Sequence, residues 1–549
     1  MDIKRLVIFV IFSFSVMMLW NAWQVKGLPQ TEVAATALAG ATTAPDASIP
    51  EAAEAASIAQ GGRGQFKLEA GERIRVSTDL YQAEISTVGG DLRHLVLNKH
   101  LADGESPGSF VLMDDGAANP MLYVAQTGLI GADLPNHKTL FSTTANSYAM
   151  EETADNLVVK LAWEGNGIAV DKVYTFHRGS YQIDVDYHVA NASGADITPS
   201  VYYQITHDSE SNQGSAFMPT FTGGAYYTDV DKFQKIGFDD MASSNLSLKS
   251  KDGWIGIIQH YFASTWIPKT AAANEFYTKQ LAENIFAVGV VNPVGNIAAG
   301  SAVDVRATLF SGPQTDKDLN AAATGLEYAV DYGWLTVIAK PLFWLLSKIY
   351  SAIGNWGVAI ILLTIFLKAL FFKLSATSYR SMAHMREIAP RMQRMKEKHA
   401  DNKQALQKEM MELYRKEKIN PLSGCLPILV QIPVFIALYW VLLGSVELRH
   451  APFFGWITDL SAKDPYYILP VLMGASMIIQ TYLNPPPADP IQAKLMKIMP
   501  VVFSIFFFFF PSGLVLYWLV NNVLSIAQQW YINKTIHAAA LAKKGSANR

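Results

Sequence analysis

The spacing of hydrophobic and polar residues divides the chain into a β-rich part and an α-helical part. Over residues 181–189, apolar residues at odd positions alternate with polar residues at even positions. A period of two predicts a strand with one buried face. Residues 170–176 and 201–205 are similar, and glycine- and asparagine-rich turns separate such runs. We therefore predict one large antiparallel β-sandwich over residues 63–320.

Long apolar runs dominate the rest of the chain and predict membrane-spanning helices. Residues 334–353 are apolar but interrupted at Lys340 and Pro341, which favours an amphipathic interfacial helix within 321–354. Pro511, Ser512 and Gly513 separate the last two spans and predict a helical hairpin. The five candidate spans cover about 355–375, 423–445, 466–483, 497–510 and 513–532.

The N-terminal residues predict a further membrane segment. Lys4 and Arg5 precede an apolar run with Trp20 and Trp23 at its far end, as in an anchor over 1–24 with a cytoplasmic N-terminus. A cleaved signal peptide is the competing interpretation, but no small-x-small site directly follows the run. Residues 25–62 are mostly Ala, Thr, Pro and Glu, and predict a flexible tether.

Local charge predicts the orientation of these segments. The basic region from 373 to 418 contrasts with a slightly acidic loop at 447–466. By the positive-inside rule, a hairpin over 376–422 and a tail over 533–549 are cytoplasmic. The first core span then covers 355–375 and the others lie within 423–532. This arrangement leaves the β-domain on the outer side of the membrane.

The basic region also has helical periodicity, with methionines at spacings of three, four and seven. It predicts two antiparallel helices joined near Asp401. Their methionine face suits varied apolar partners, although simple helix packing explains it equally well. The positive charge also suits anionic lipid headgroups. The candidate recruitment residues are Arg380, Arg386, Arg391 and Arg394.

Composition adds few further constraints. Half of the residues are hydrophobic, 17% are charged and the net charge is −3, which fits a membrane protein and gives no overall nucleic-acid signal. The single cysteine, Cys425, excludes an intrachain disulfide and no metal motif is present. Carboxylates and histidines of the β-domain are scattered, which favours a binding or scaffolding role for it.

Lys368 is the most informative single residue. It lies in an otherwise apolar run at 358–372, where a charge costs roughly 2.5–3.5 kcal/mol at the centre of a membrane helix. Thr364 precedes it by four residues and shares its helical face. The pair predicts a polar surface inside the bilayer. The alternative is a lysine that snorkels to the interface, because the end of the run is about four residues away.

Other spans also carry polar residues. Each alone fits a helix–helix hydrogen bond, whereas together with Lys368 they favour a wet cavity between helices. Phe506–Phe510 and Ile432 with Pro433 offer apolar faces to lipid or to an apolar guest. The polar residues are Gln431, Tyr517, Asn521, Asn522, Gln528 and Gln529.

Several of these residues belong to recognisable motifs. The chain resembles the YidC/Oxa/Alb family of membrane insertases, in its Gram-negative bacterial form, over essentially its whole length. The resemblance implies a polytopic α-helical membrane protein, with an N-terminal anchor, a five-helix core and a large antiparallel β-supersandwich periplasmic domain. The motifs that carry it are Asn420-Pro421-Leu422-Ser423-Gly424-Cys425-Leu426-Pro427, Gln431-Ile432-Pro433, Pro511-Ser512-Gly513-Leu514, Tyr517-Trp518, Asn521 and Gln528-Gln529.

The family resemblance implies an inner-membrane chaperone that inserts proteins through a hydrophilic groove without ATP or metal. Lys368 occupies the position of the family's basic groove residue, although arginine is usual there and tyrosine is frequent at 518. The implied groove residues are Lys368, Thr364, Gln431, Tyr517, Trp518 and Asn521, and the implied hydrophobic slide is Ile432, Pro433 and Phe506. The implied partners are nascent membrane proteins and the Sec translocon, with the ribosome, the signal recognition particle receptor and anionic lipids as further candidates.

The implied mechanism is physically coherent. A wet groove shortens the dry path of a client tail, Lys368 attracts its carboxylates, and the membrane potential assists each negative charge by about 2.3 kcal/mol per 100 mV. A solute or ion transporter is the alternative, since polar membrane helices also mark ion pathways. Against it, the five core spans show no internal repeat. The HExxH and GxSG motifs of a protease are absent.

Overall fold

The chain divides into two compact units. A computed structural model describes residues 68–102, 108–116, 121–209, 214–215, 218–399, 402–417, 426–483 and 490–547. The predicted anchor and tether, and Cys425, lie outside the described residues. We call the unit that ends at Asp331 and also contains Gly444–Glu447 the β-unit. The helical unit comprises Tyr332–Leu443 and the chain from Leu448 onwards.

The β-unit consists of strands that form two large sheets. The strands are β1 (Arg73–Ser77), β2 (Tyr81–Ser86), β3 (Leu92–Leu101), β4 (Ser109–Asp115), β5 (Leu122–Ile130), β6 (Ser142–Thr143), β7 (Ser147–Ala149), β8 (Asn156–Gly165), β9 (Ile168–His177), β10 (Gln182–Asn191), β11 (Ser200–Asp208), β12 (Gly214–Ser215), β13 (Met218–Pro219), β14 (Gly223–Thr228), β15 (Lys232–Ile236), β16 (Ser247–Ser250), β17 (Trp254–Ile258), β18 (Phe262–Pro268), β19 (Asn274–Ala282), β20 (Ile285–Pro293) and β21 (Ser301–Pro313).

The first sheet has the order β16-β19-β20-β11-β5-β4-β3-β2-β1-β7, and the second has the order β15-β14-β17-β18-β21-β10-β9-β8-β6. β12 and β13 form a separate two-stranded ribbon. Strand β1 pairs in parallel with β7, whereas the long strands pair antiparallel with their neighbours, such as β10 with β9 and β21. The predicted antiparallel sandwich is therefore confirmed.

The alternating pattern at 181–189 forms β10 in the middle of the second sheet. Its odd positions are buried and face the first sheet. Strand β11 is buried at nearly every position because it lies inside the first sheet, between β5 and β20. Between β8 and β9, Asn166 and Gly167 have φ values of 52° and 75°. A two-residue turn with both φ values positive suits the twist of a hairpin and favours the sequence Asn-Gly.

Buried contacts join the two sheets. The Tyr81 hydroxyl on β2 donates to the Ser311 carbonyl on β21 at 2.6 Å. The rings of Tyr203 on β11 and Trp266 on β18 lie 5.1 Å apart between centroids. The core of the β-unit therefore lies between the sheets, and it includes large aromatic side chains.

The helices begin in the β-unit with α1 and α2 and continue through the helical unit. Short 3₁₀ segments lie at Leu326–Tyr328, Gly333–Leu335, Val446–Leu448 and Phe507–Phe509. The helices are α1 (Phe238–Ser243), α2 (Asp316–Ala322), α3 (Thr336–Ile353), α4 (Trp356–Leu370), α5 (Phe372–Lys398), α6 (Lys403–Lys416), α7 (Leu426–Gly444), α8 (Ile468–Leu483), α9 (Pro490–Phe506) and α10 (Ser512–Ala547).

Helix α3 continues through Pro341, which lies near its N-terminus. Its last turns pack on α4, where Tyr350 stacks on Trp356 with 4.0 Å between ring centroids. Among the described helices, α3 is long and apolar enough to cross a membrane by itself, and α4 with the first part of α5 qualifies as a bent pair. The placement of α3 at the membrane interface stays a prediction.

The first core helix and the predicted hairpin meet at a sharp bend. Helix α4 ends at Phe371, and α5 leaves at 66° to it. Helices α5 and α6 form the predicted pair, in which Arg391 Nη1 donates to Glu417 Oε1 at 2.8 Å. The last helix, α10, continues to Ala547, well beyond the predicted end of the span at 532. Residues 533–544 contain neither glycine nor proline and include good helix formers, so nothing ends the helix earlier.

Candidate functional site

Lys368 lies on the inner face of α4. That face carries the buried residues Ile360, Leu363, Thr364 and Leu367, whereas Leu362, Ile365, Phe366 and Leu370 are exposed on the other side. The Lys368 ammonium donates a hydrogen bond to Ser525 Oγ on α10 at 2.6 Å. Its side chain therefore points into the helical unit in this structure, away from the exposed apolar side of α4.

A cavity opens beside Lys368, between α4, α7 and α10. It is small and partly open: about 250 Å³ is free of protein atoms, and this volume includes open space at its mouth. Lys368 is the one charged group among the described lining residues, so the cavity has an uncompensated positive potential that favours anions. The lining residues are Thr364, Leu367, Lys368, Phe371, Gln431, Val434, Tyr517 and Asn521.

The structure brings five of the six predicted groove residues together at this cavity. Trp518 lies elsewhere, with its ring 4.4 Å from Phe435 and 5.1 Å from Phe507 between centroids. It follows Tyr517 by one residue, and neighbouring positions on a helix face different directions. Trp518 therefore packs among aromatic side chains that adjoin the cavity lining.

The Thr364 hydroxyl donates to the Ile360 carbonyl one turn earlier, at 2.7 Å. Such a bond satisfies the hydroxyl hydrogen within the helix and leaves the oxygen lone pairs available to accept. Thr364 therefore presents an acceptor on the same face as the donor Lys368. The lining therefore offers both a hydrogen-bond donor and a hydrogen-bond acceptor.

Ser525 is a site residue that the sequence reasoning missed. It is buried and lies one turn after Asn521 on α10, and the two share a helical face with Tyr517. Its hydroxyl donates to the Asn521 carbonyl at 2.7 Å and accepts from Lys368. The spacing 517, 521, 525 is a signal that could have identified it.

The predicted polar residues of α10 divide between two faces. Asn522 Nδ2 donates to Ser476 Oγ on α8 at 3.2 Å, and Gln529 Nε2 donates to the Leu483 carbonyl at the end of α8 at 3.3 Å. Gln528 Nε2 donates to the Phe372 carbonyl of α5 at 3.2 Å. These three amides therefore hold helices together and do not line the cavity.

The predicted slide residues lie on the apolar side of the unit. Ile432 is next to the cavity residue Gln431 and is 44% exposed, and Pro433 lies inside α7. Phe506 packs on Phe510 with 4.8 Å between ring centroids. Ile432 and Phe506 carry no polar side-chain atom, so they offer a face suited to lipid or an apolar segment.

One end of the helical unit is closed by a pairing between the loop 449–467 and the turn that starts α10. The backbone N–H of Ser512 donates to the Ala462 carbonyl at 2.7 Å, and that of Gly513 donates to the Leu460 carbonyl at 2.9 Å. We call these contacts the loop–turn pairing. Buried Asp464 stabilises the loop by accepting from Trp456 Nε1 at 3.0 Å and from the Leu469 N–H at 2.7 Å.

The predicted recruitment arginines lie on α5. Arg380 and Arg394 are exposed, and Arg391 is paired with Glu417 of α6. The side chain of Arg386 lies outside the described part of the structure. Lys398 and His399 both contact Glu409, which ties α5 to α6 near the connection between them.

The β-unit buries a second lysine, Lys172 on β9. Its ammonium donates to the Gly89 carbonyl at 3.0 Å, and burial lowers the pKa of Lys172 to about 7. Nearby Asp91 is buried and accepts from Arg93 at 3.1 Å and from Gln126 at 3.2 Å. This enclosed cluster crosslinks the two sheets.

In the described part of the chain, no three His, Cys, Asp or Glu side chains are grouped as a metal ion would require. The polar cavity of the helical unit is therefore the site with the best defined chemistry. It offers one ammonium, hydroxyl and amide groups, and apolar neighbours at Leu367, Phe371 and Val434.

Comparison with known proteins covers nearly the whole chain. Residues 73–345 match the family model of the YidC periplasmic domain, and residues 348–539 match that of the 60Kd inner membrane protein. A "Membrane protein insertase YidC" from Methylobacillus flagellatus is 59% identical and the match covers 100% of both chains. Another of that name, from Aromatoleum aromaticum, is 52% identical over 98% of each chain. A crystal structure of an active YidC insertase is 17% identical, with a TM-score of 0.40, and the match covers 84% of this chain and 93% of that chain.

Proposed function

The chain belongs to the YidC family of membrane protein insertases, and we propose that it inserts client segments through the polar cavity beside Lys368. The family resemblance predicted from the sequence motifs is therefore confirmed. Members of this family are inner-membrane proteins with a periplasmic domain, and the β-unit corresponds to the match at 73–345. The use of this cavity for insertion is our proposal.

The contact that carries this proposal is the hydrogen bond from Lys368 to Ser525. It holds a cation on the inner face of an apolar helix, beside hydroxyl and amide groups that can hold water. A client tail that enters a wet cavity leaves a shorter dry path across the membrane, where each unpaired backbone group costs several kcal/mol. A carboxylate on the tail is attracted to the ammonium.

The apolar side of the unit supports release of the client into lipid. Ile432, Pro433 and Phe506 provide a surface without charge for the client's apolar span. A segment that slides along them exchanges protein contacts for lipid contacts of similar polarity, so release needs no large driving force. We propose that the tail passes the cavity while the span moves sideways.

The proposed topology has six spans, with both termini in the cytoplasm. The basic helix pair α5 and α6 supports it, because positively charged segments stay on the cytoplasmic side. The exposed Arg380 and Arg394 are suited to recruit nascent membrane proteins, anionic lipids, the ribosome or the signal recognition particle receptor. Cooperation with the Sec translocon is also part of the proposal, as is insertion without ATP, metal or catalytic chemistry.

The test is insertion of a single-span protein with an acidic tail into liposomes that contain the purified chain. Wild type, Lys368→Arg and Lys368→Ser are compared, with Lys373→Ser as a matched control, because Lys373 is exposed and lies beyond the bend. We expect Lys368→Arg and Lys373→Ser to insert like wild type and Lys368→Ser to lose roughly tenfold or more, since a charge-assisted contact is worth about 1.5–3 kcal/mol.

Equal insertion by Lys368→Ser would overturn the role of the charge. A client with a strongly basic tail provides a second check, because the ammonium repels it. Equal insertion of acidic and basic tails would overturn the electrostatic part of the proposal. A flux of ions or small solutes without any insertion would favour a transporter.

A further inference from the structure

The hydroxyl of Ser525 is a meeting point of three helices. It accepts from Lys368 of α4 and donates to the Asn521 carbonyl of α10. The hydroxyl of Tyr379 on α5 lies near it. A serine hydroxyl has one hydrogen and two lone pairs. Because the hydrogen goes to Asn521, Lys368 acts as the donor to one of the lone pairs.

The position of Ser525 decides where the Lys368 charge lies. Lys368 is in the last turn of α4, three residues before the bend at Phe371. A lysine stem at the end of an apolar helix can extend toward the interface, where its ammonium is hydrated. Ser525 is 4% exposed and provides the acceptor that draws the ammonium inward instead.

We propose that Ser525 is a positioning residue that holds the Lys368 ammonium at the cavity and prevents it from extending to the membrane interface. This inference rests on the proposed function, since the cavity is the place where a client carboxylate would meet the charge. Ser525 therefore controls the depth of the charge in the membrane and, through it, the preference for acidic tails.

Tyr379 allows the positioning role to be separated from a packing role. The start of α5 is docked on α10 by the buried residues Ala376, Tyr379 and Ile532. Tyr379→Phe removes the hydroxyl near Ser525 and keeps the ring in this cluster. If Ser525 acted only by docking α5, Tyr379→Phe would have the same effect as Ser525→Ala.

The experiment uses the full chain in liposomes and measures two quantities. The first is the rate at which a membrane-impermeant amine-acylating reagent, added on the side of the α5–α6 pair, modifies Lys368, read by peptide mass spectrometry. The second is the ratio of insertion of an acidic-tailed client to that of a neutral-tailed client. Variants are Ser525→Ala, Ser525→Thr and Tyr379→Phe. Ser476→Ala is the control, because Ser476 is a buried serine of α8 that accepts from Asn522 on the other face of α10.

We expect Ser525→Ala to raise the acylation rate of Lys368 by roughly tenfold, because the variant loses one hydrogen bond to a charged group. The acidic-to-neutral ratio falls by a similar factor. Ser525→Thr keeps the hydroxyl and restores both values, while Tyr379→Phe and Ser476→Ala stay within about twofold of wild type, because neutral hydrogen bonds in membranes contribute little.

Two outcomes would overturn the inference. One is a Ser525→Ala variant with the acylation rate and the insertion ratio of wild type. The other is a Tyr379→Phe variant that matches Ser525→Ala. Acylation does not depend on insertion, so it tests Ser525 separately. A wild-type chain that inserts neither client would instead reject the proposed function.

Discussion

The β-unit buries Lys172 completely and the helical unit buries Lys368 in part, and the two side chains are held in different ways. Lys172 of the β-unit is 0% exposed, and its ammonium donates to a backbone carbonyl and lies 5.5 Å from the ring centre of Tyr174. Lys368 of the helical unit donates to a side-chain hydroxyl and borders a cavity. A backbone carbonyl in a sheet is fixed, whereas a cavity admits other partners. A buried lysine is therefore a weaker sign of function than a lysine that borders a cavity where another molecule can reach it.

The largest expected effect comes from removal of the enclosed lysine. Lys172→Ala leaves a cavity and removes the donor to the Gly89 carbonyl, so the free energy of unfolding of the β-unit falls by about 2–5 kcal/mol. Hydrogen exchange of the strand amides in the full chain measures this loss.

The matched control is Lys368→Ala, because it removes the other lysine. We expect a stability change below about 1 kcal/mol, since single polar contacts in membranes are weak, together with reduced insertion of an acidic-tailed client. A greater stability loss at 368 than at 172 would reverse the comparison.

The pH dependence of stability sharpens the same contrast. Unfolded lysine holds its proton up to about pH 10.5, whereas burial lowers the pKa of Lys172 to about 7 in the folded state. Between these values the unfolded state binds more protons, so stability rises with pH. We expect a gain of about 2 kcal/mol from pH 7 to pH 9 in the β-unit.

Hydrogen exchange at the two pH values, corrected for the intrinsic exchange rate, measures this gain. Lys172→Met is the control, because methionine has a similar length and no titrating group. The variant should lose the increase. A wild-type β-unit whose stability falls from pH 7 to pH 9 would contradict the assignment to Lys172.

The smallest expected effect separates two adjacent residues of α10. Asn522→Ala removes the bond to Ser476 and should lower the stability of the helical unit by about 0.6 kcal/mol, with insertion unchanged. Asn521→Ala alters the cavity lining and should reduce insertion by about twofold to threefold. Thermal unfolding in detergent and the liposome assay measure the two effects. Equal loss of insertion in both variants would remove the distinction between packing and cavity faces.

The order of apolar and polar residues predicted those parts of the fold that depend on neighbouring residues in the sequence. The alternation at 181–189 predicted β10, because a strand that lies in a sheet with one face on the core must alternate. Strand β11 is buried on both sides and lacks this alternation. The Asn166-Gly167 turn follows from the positive φ values that a tight hairpin demands.

The site was predicted only in part, because its geometry depends on contacts between helices distant in sequence. A charge in an apolar run indicated Lys368, and helical spacing related Thr364 to it. Ser525 is 157 residues away from Lys368 in sequence, and no local pattern reveals that the two meet. Serine is also unremarkable in a membrane helix, where its hydroxyl can bond to its own backbone.

The polar residues of α10 illustrate the same limit. Tyr517 and Asn521 line the cavity, whereas Asn522 and Gln529 bind α8. Sequence shows that all four need partners, but the direction of each follows from where the neighbouring helices lie. Resemblance to a family placed Trp518 in the groove, and here its ring packs on Phe435 and Phe507.

The loop–turn pairing gives this end of the molecule a tolerance to mutation. Its hydrogen bonds join backbone groups of Leu460 and Ala462 to those of Ser512 and Gly513. Every residue carries a carbonyl and every residue except proline carries an N–H, so most substitutions leave these bonds in place. Exposed loop side chains such as Phe454 and Tyr466 are therefore free to diversify over evolutionary time while the closure persists, whereas the buried Asp464 is not.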